Sequence, residues 1–242
     1  IWGGEVLVAD TKQFERAAHL AEVSMPGSSA AIKEPWRMAI SYLHTAFGEN
    51  VLDLDLPLVK QSDREKIKII VEMMDKGINC PQTSSLGRLF DAVAAIAGIR
   101  QRVNFEGQAA MELEMLADGH SDSIYEIQWA SQMPLKILPQ TIIQGVVQDI
   151  QNGRSPAEIS TKFHQTLITL FGEICATIRR NHDLNRVVLS GGCFQNSLLL
   201  RGLIGQLEAQ NFEVYAHQQV PANDGGIALG QALVAASIAG AS

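Results

Sequence analysis

The C-terminal part of the chain constrains the fold most tightly. Arg186-Val-Val-Leu-Ser190 is a short apolar run, followed by Gly191-Gly192 and then by Asn196–Ala209, which carries Leu199, Leu203, Ile204 and Leu207 on one helical side. Phe212-Glu-Val-Tyr-Ala216 is a second short strand, Pro221-Ala-Asn-Asp-Gly-Gly226 a second loop, and Ile227–Ala239 a last helix. Strand, helix, strand, helix is the unit of a parallel sheet. A right-handed crossover puts the C-terminal ends of both strands at one sheet edge, so the two Gly-Gly loops should line a single crevice. Each loop precedes a helix whose free N–H groups attract an anion, and paired glycines let backbone approach a phosphate. A nucleotide is the natural ligand.

Upstream, Ile1-Trp-Gly-Gly-Glu-Val-Leu-Val8 reads as a strand already in progress, with no initiator Met or basic leader, so a portion of a longer polypeptide is expected. Asp10 is a helix-cap candidate, although the segment to Val23 is ambiguous, and Met25-Pro-Gly-Ser-Ser29 is a turn. Pro35 opens an amphipathic helix through Met38, Ile40, Leu43 and Phe47. Ser62-Asp-Arg-Glu65 has the form of a capping box before Ile67, Ile70, Val71 and Met74, and Gly77 ends that run. Further helices are expected over 85–98, 107–116, 138–150 and 156–180. Three segments result: 1–33, a mainly helical 34–180, and an α/β segment 181–242.

Composition narrows the function. Of 242 residues 46% are hydrophobic and 19% charged, and 19 basic against 26 acidic residues give a net charge of −7 with no basic stripe. Nucleic acid is thereby a poor partner, while a local phosphate pocket stays open. Cys80, Cys175 and Cys193 form neither a CxxC pair nor a disulfide framework, which fits a reducing cytoplasm. Ile227–Ala239 is too short and too interrupted to cross a membrane. The six histidines include no HxxxH or HExxH pair.

Individual residues carry competing readings. Asp224 at a helix start is an N-cap or, beside a phosphate site, a metal ligand. Asn196 could likewise cap its helix or reach a ribose or base. Asp91 could compensate a helix dipole, and Glu112 could be an exposed helical carboxylate after the loop glycine Gly107. His164 reads as helix packing, and Cys193, without a nearby base, as a small buried residue rather than a nucleophile.

Several motifs together resemble one family. Leu189-Ser-Gly-Gly-Cys-Phe-Gln-Asn196 and Pro221-Ala-Asn-Asp-Gly-Gly-Ile-Ala-Leu-Gly-Gln231 are similar to the end of the HypF-type carbamoyltransferases of nickel-iron hydrogenase maturation. Ile1-Trp-Gly-Gly-Glu5, Glu34-Pro-Trp-Arg-Met-Ala39, Ser84-Ser-Leu-Gly-Arg-Leu-Phe-Asp-Ala-Val-Ala94, Phe105-Glu-Gly-Gln-Ala-Ala-Met-Glu-Leu-Glu114 and Phe163-His164 extend the likeness in order along the chain.

The resemblance implies an α/β fold of the ASKHA, Kae1-like type, in part, with an α-rich middle and a C-terminal parallel βαβα nucleotide-binding half. It implies that carbamoyl phosphate and ATP, with Mg2+, yield a carbamoyl-adenylate whose carbamoyl group passes to the C-terminal Cys of the partner HypE. Related chemistries are small-molecule O-carbamoyl transfer and ASKHA kinase activity; a non-catalytic nucleotide-binding or docking segment is the remaining alternative. By position, Ser190, Gly191, Gly192 and Asn196 resemble the nucleotide loop, and Asp91, Gly107 and Glu112 the ribose-holding positions. Asp224 resembles the carboxylate ligand of a divalent metal, Fe or Zn, completed by histidines outside this sequence, so the segment alone is expected to be inactive. Ser28-Ser29 departs from the family, which commonly has Gly and Asp there.

Overall fold

In a computed structural model, residues 1–119 and 121–240 are described; His120 and the last two residues of the 181–242 segment lie outside them. The chain opens on a hairpin of β1 (Glu5–Ala9) and β2 (Phe14–Leu20), followed by β3 (Val23–Ser24), α1 (Ser29–Lys33) and α2 (Pro35–Phe47). Next come α3 (Pro57–Gln61), α4 (Arg64–Asp75), β4 (Gln82–Thr83), α5 (Leu86–Ile96) and α6 (Gln108–Leu116). Strands β5 (Gln128–Ala130) and β6 (Leu135–Leu138) precede α7 (Gln140–Gln151) and α8 (Pro156–His182). The remainder is β7 (Arg186–Leu189), α9 (Ser197–Ala209), β8 (Glu213–Ala216) and α10 (Ile227–Ile238).

Asp10 does not cap a helix. Its Oδ1 accepts the N–H groups of Lys12 at 2.7 Å and Gln13 at 2.8 Å, the local bonding of an Asx turn, and that turn reverses the chain between β1 and β2. The mainly helical reading of 34–180 also misses three short strands. β6 pairs in parallel with β2 and antiparallel with β5, giving the sheet order β1-β2-β6-β5, so the first and middle segments share one sheet. Leu138 therefore ends a strand, and the helix expected there starts at Gln140.

Helix α5 is the core of the helical region. Leu86, Leu89, Phe90 and every residue from Ala92 to Ile96 are buried, the pattern of a helix apolar all round, and it packs chiefly against α2. Pro35 occupies the first turn of α2, whose Met38, Ile40, Tyr42 and Leu43 are buried. The cap of α4 is Asp63 rather than Ser62: Asp63 accepts from the Glu65 N–H, while Ser62 ends α3.

Helix α8 connects the two ends of the molecule. It begins with a true capping box, Ser155 and Glu158, and ends at Asp183 in the left-handed conformation. Its 27 residues span about 40 Å at about 1.5 Å per residue. Phe163 at the N-terminal half meets the Phe90 ring edge-on at 5.1 Å, and the helix packs along α9. The βαβα pattern is present: β7 and β8 pair in parallel with Arg186 opposite Glu213 and Leu189 opposite Ala216. Helix α10 has no buried residue, and Ile227, Leu229 and Leu233 are exposed on it.

Candidate functional site

The two Gly-Gly loops do meet. The Gly191 N–H donates to the Ala222 carbonyl at 2.8 Å, and Ser190 Oγ lies 2.9 Å from His217 Nε2, so the loop after β7 is fastened to the loop after β8. Gly191 has φ 107, a conformation closed to L side chains, although no neighbour crowds it. Gly226 is glycine for a different reason, since a Cβ there would stand 2.7 Å from the Pro221 carbonyl oxygen.

These loops form one wall of a cleft of 2580 Å3. Small-molecule pockets occupy about 300–1,000 Å3, so this one is an open groove rather than a closed chamber. The same cleft is lined by Gly87, Arg88 and Asp91 of α5, by Glu106 and Gly107 just before α6, and by Glu114 in the last turn of α6. Gly107, at φ 79, starts α6 in the left-handed region.

Asp91 sits in the body of α5, not in its first turn, and is 2% exposed. Burial pushes its carboxyl up to about 6, opposed by Arg88, whose Nη1 lies 2.9 Å from Asp91 Oδ2, and reinforced by Glu106. Glu112 does not line the cleft: Arg100 grips it with Nε and Nη2, each at 2.7 Å, and Gln108 adds a bond at 2.9 Å. The α6 carboxylate inside the cleft is Glu114, two residues on.

Asn196 is committed on both sides of its amide. Oδ1 accepts the Leu199 N–H at 2.8 Å as the cap of α9, and Nδ2 is 2.8 Å from His164 Nε2. His164 is buried as packing, edge-on to the Phe90 ring at 5.4 Å. Glu114 Oε1 takes the Ser197 N–H at 2.7 Å. The start of α9 is thus closed by side chains of its own chain, and the open backbone at this edge belongs to the glycine turn before it.

Asp224 is exposed; its carbonyl accepts the Ile227 N–H, and its carboxylate makes no hydrogen bond or ion pair among the described residues. It does not cap: Asn223 does, accepting the Gly225 N–H at 3.1 Å. Among the described residues no group of three or more His, Cys, Asp or Glu could hold a metal ion, so the donor set here does not fit a metal by itself. Cys193 and Cys175 line the cleft, and burial pushes both thiols up to about 11. A thiol held protonated is a poor nucleophile. No helix among the described residues is long and apolar enough to cross a membrane.

Arg88, Glu114, His217 and the Asn223 cap were not singled out by the sequence. Arg88 had a local signal, its i, i+3 spacing to Asp91 on one helix face. Glu114 and His217 had none, because their partners lie in other elements.

Comparison with known proteins matches this geometry. A family model described as "Carbamoyltransferase, Kae1-like Domain, second subdomain" matches residues 1–231. The chain is 36% identical over 244 residues to the carbamoyltransferase HypF of Rhodobacter capsulatus, covering 98% of this chain and 30% of that protein. It is 36% identical over 237 residues to the carbamoyltransferase HypF of Rhizobium leguminosarum bv. viciae, covering 95% and 29%. A crystal structure of full-length HypF in the phosphate- and nucleotide-bound form superposes with a TM-score of 0.92 at 42% identity, covering 98% of this chain and 31% of that one. The chain therefore spans less than a third of each of these three proteins. With its mixed α/β fold and the paired glycine turns at the β7–β8 edge, the chain belongs to the HypF carbamoyltransferases, as the second subdomain of their Kae1-like domain.

Proposed function

We propose that this chain forms the nucleotide-facing half of a carbamoyltransferase site. In this reading water cleaves carbamoyl phosphate to carbamate and phosphate, and a carbamate oxygen then attacks the α-phosphorus of ATP, supplied with Mg2+, so that pyrophosphate leaves and a carbamoyl-adenylate forms. The C-terminal Cys thiolate of HypE then attacks the carbamoyl carbon: the C–S bond forms, the bond to the adenylate oxygen breaks, and AMP leaves with that electron pair. The observation that carries the reading is the hydrogen-bonded pair of glycine turns lining one cleft with Asp91. Similarity to a HypF crystallised with phosphate and nucleotide supports it.

Ser190, Gly191 and Gly192 offer backbone and a hydroxyl to the nucleotide phosphates, and Asp91 and Gly107 flank the ribose. Backbone donors fixed before reaction stabilise developing charge without reorganisation. The protonated Cys193 and Cys175 leave the acceptor thiolate to the partner. Asp224, whose carboxylate has no hydrogen bond or ion pair among the described residues, is available as one ligand to a divalent metal, Fe or Zn, whose other ligands lie outside the described residues. The pocket needs no nucleic acid and no membrane, and the reading suits a cytoplasmic protein.

The test is carbamoyl transfer to a peptide carrying the HypE C-terminal cysteine, by the intact protein with and without Asp224→Ala. Loss of transfer is expected; undiminished transfer refutes the role of Asp224. Calorimetry with ATP tests the nucleotide site, and absence of binding by the wild type refutes it.

A further inference from the structure

Three helices converge where the glycine turn runs into α9, and their side chains leave little choice of protonation. The Leu199 N–H needs an acceptor, which fixes Asn196 Oδ1 on that side at 2.8 Å. The other end of the amide is then the NH2 group, so the ring nitrogen of His164 facing it at 2.8 Å must be a bare acceptor. The remaining ring nitrogen, Nδ1, stands 2.8 Å from the Ser160 carbonyl and must carry the proton. One tautomer of a neutral imidazole satisfies all three contacts.

We propose that His164 is a positioning residue for the nucleotide turn, acting through Asn196. The turn is short and closes on Asn196: the Phe194 N–H donates to Gly191 O at 3.0 Å and the Asn196 N–H to Cys193 O at 3.1 Å. Holding the Asn196 side chain therefore holds the point at which the Gly191-Gly192 backbone is anchored. Asn196 spends its oxygen on the α9 cap and one N–H on His164, and the task assigned to it here is to set the turn. This inference rests on the nucleotide reading above for its consequence but not for its geometry.

The groups around the ring are consistent with a neutral state. Phe90 of α5 presents its ring, Ser160 of α8, one turn before His164 on the same helix, its carbonyl and hydroxyl, and Asn196 its amide. Among the described residues the charged group acting on it is Glu114 of α6, whose carboxylate is engaged with the Ser197 N–H. A second proton on His164 would set an N–H against the Asn196 NH2 group, and the pair would separate.

Two conservative variants separate this role from mere packing, used in the intact protein. In His164→Gln, the side-chain oxygen replaces the Nε2 acceptor; in His164→Asn, only the Ser160 side can be reproduced. Hydrogen exchange over residues 190–199, read against the α5 amides as reference, should stay near wild type in His164→Gln and accelerate in His164→Asn. The dissociation constant for ATP should rise about tenfold in His164→Asn and little in His164→Gln. Nitrogen-15 chemical shifts of the wild type at neutral pH should report a His164 ring protonated at Nδ1 alone. An Nε2-protonated or doubly protonated ring overturns the proposal, as does equal behaviour of the two variants, whether both unchanged or both loosened throughout the fold. Failure of the wild type to bind ATP would sink the nucleotide reading while the exchange and nitrogen shifts still decide the role of His164.

Discussion

The Glu114 carboxylate on α6 receives the backbone N–H of Ser197, the first residue of α9, at 2.7 Å. A negative charge at that spot is favourable to the helix dipole and unfavourable to a second anion in the same place. Nucleotide phosphates should therefore settle against the Gly191-Gly192 turn, one step back along the chain from the helix itself. Replacing Glu114 by Ala should lower unfolding free energy by about 1–2 kcal/mol, and Glu114→Gln by about half of that, because Gln keeps an acceptor and loses the charge. Urea titration of the three proteins measures both steps.

Stability should depend on pH through His164. Burial holds its imidazole below the ordinary histidine range, so the folded state binds fewer protons than the unfolded one. The contribution is fully present above the unfolded value of about 6.5 and is lost as pH falls below it. His164→Gln should flatten this acid limb in a denaturation series taken from pH 7.5 downward.

Asp91 should tilt the curve the other way. Its carboxyl is pushed up to about 6 from 3.8 by burial, so the folded state holds the proton longer and stability declines as pH rises from about 4 through 6. The gap corresponds to roughly 3 kcal/mol over that window. Asp91→Asn should abolish the decline, which a thermal or urea series across pH 4–7 would register. Should the ribose contact proposed for Asp91 exist, the same variant would also weaken ATP binding.

Cys193 and Cys175 line the cleft yet should resist alkylation. With thiols pushed up to about 11 by burial, little thiolate exists near neutrality. Iodoacetamide at pH 8 should modify both far more slowly than free cysteine, by mass spectrometry of tryptic peptides; rapid labelling in the folded state would contradict the burial.

Ser28 should improve on mutation to Gly. Its φ of 53 with ψ of −114 is a conformation that side chains rarely adopt, and it follows Gly27 at φ 85 in the same turn. Removing the Cβ should stabilise the protein by about 1 kcal/mol, seen as a higher urea midpoint with unchanged slope.

Much of this was readable from residues alone. The βαβα end, the glycine turns, Pro35 in the first turn of α2 and the starts of the helices near 85, 107 and 156 are local signals, and local signals survive folding. What escaped is non-local. Strand β6 is four residues of mixed polarity whose partner β2 lies on the far side of the helical region, so no short window betrays the pairing. Glu112 and Glu114 are equally acidic on paper, and only the position of Arg100 turns the first away from the cleft while α9 claims the second. The capping reading of Asp224 missed by one residue: the side chain that caps the short turn before α10 is Asn223, which accepts the Gly225 N–H.

The parallel pairing of Ala18 with Leu135 also bears on how the chain comes together. Helices α1 to α6 lie between these two residues in the chain, so this pair can close only after the α2–α5 core has drawn them into range, and the loop entropy is met before any ladder bond repays it. Sheet formation should therefore be a late event, and a chain stalled before it would show near-native helix with β2 uncovered, an unpaired edge open to association between molecules.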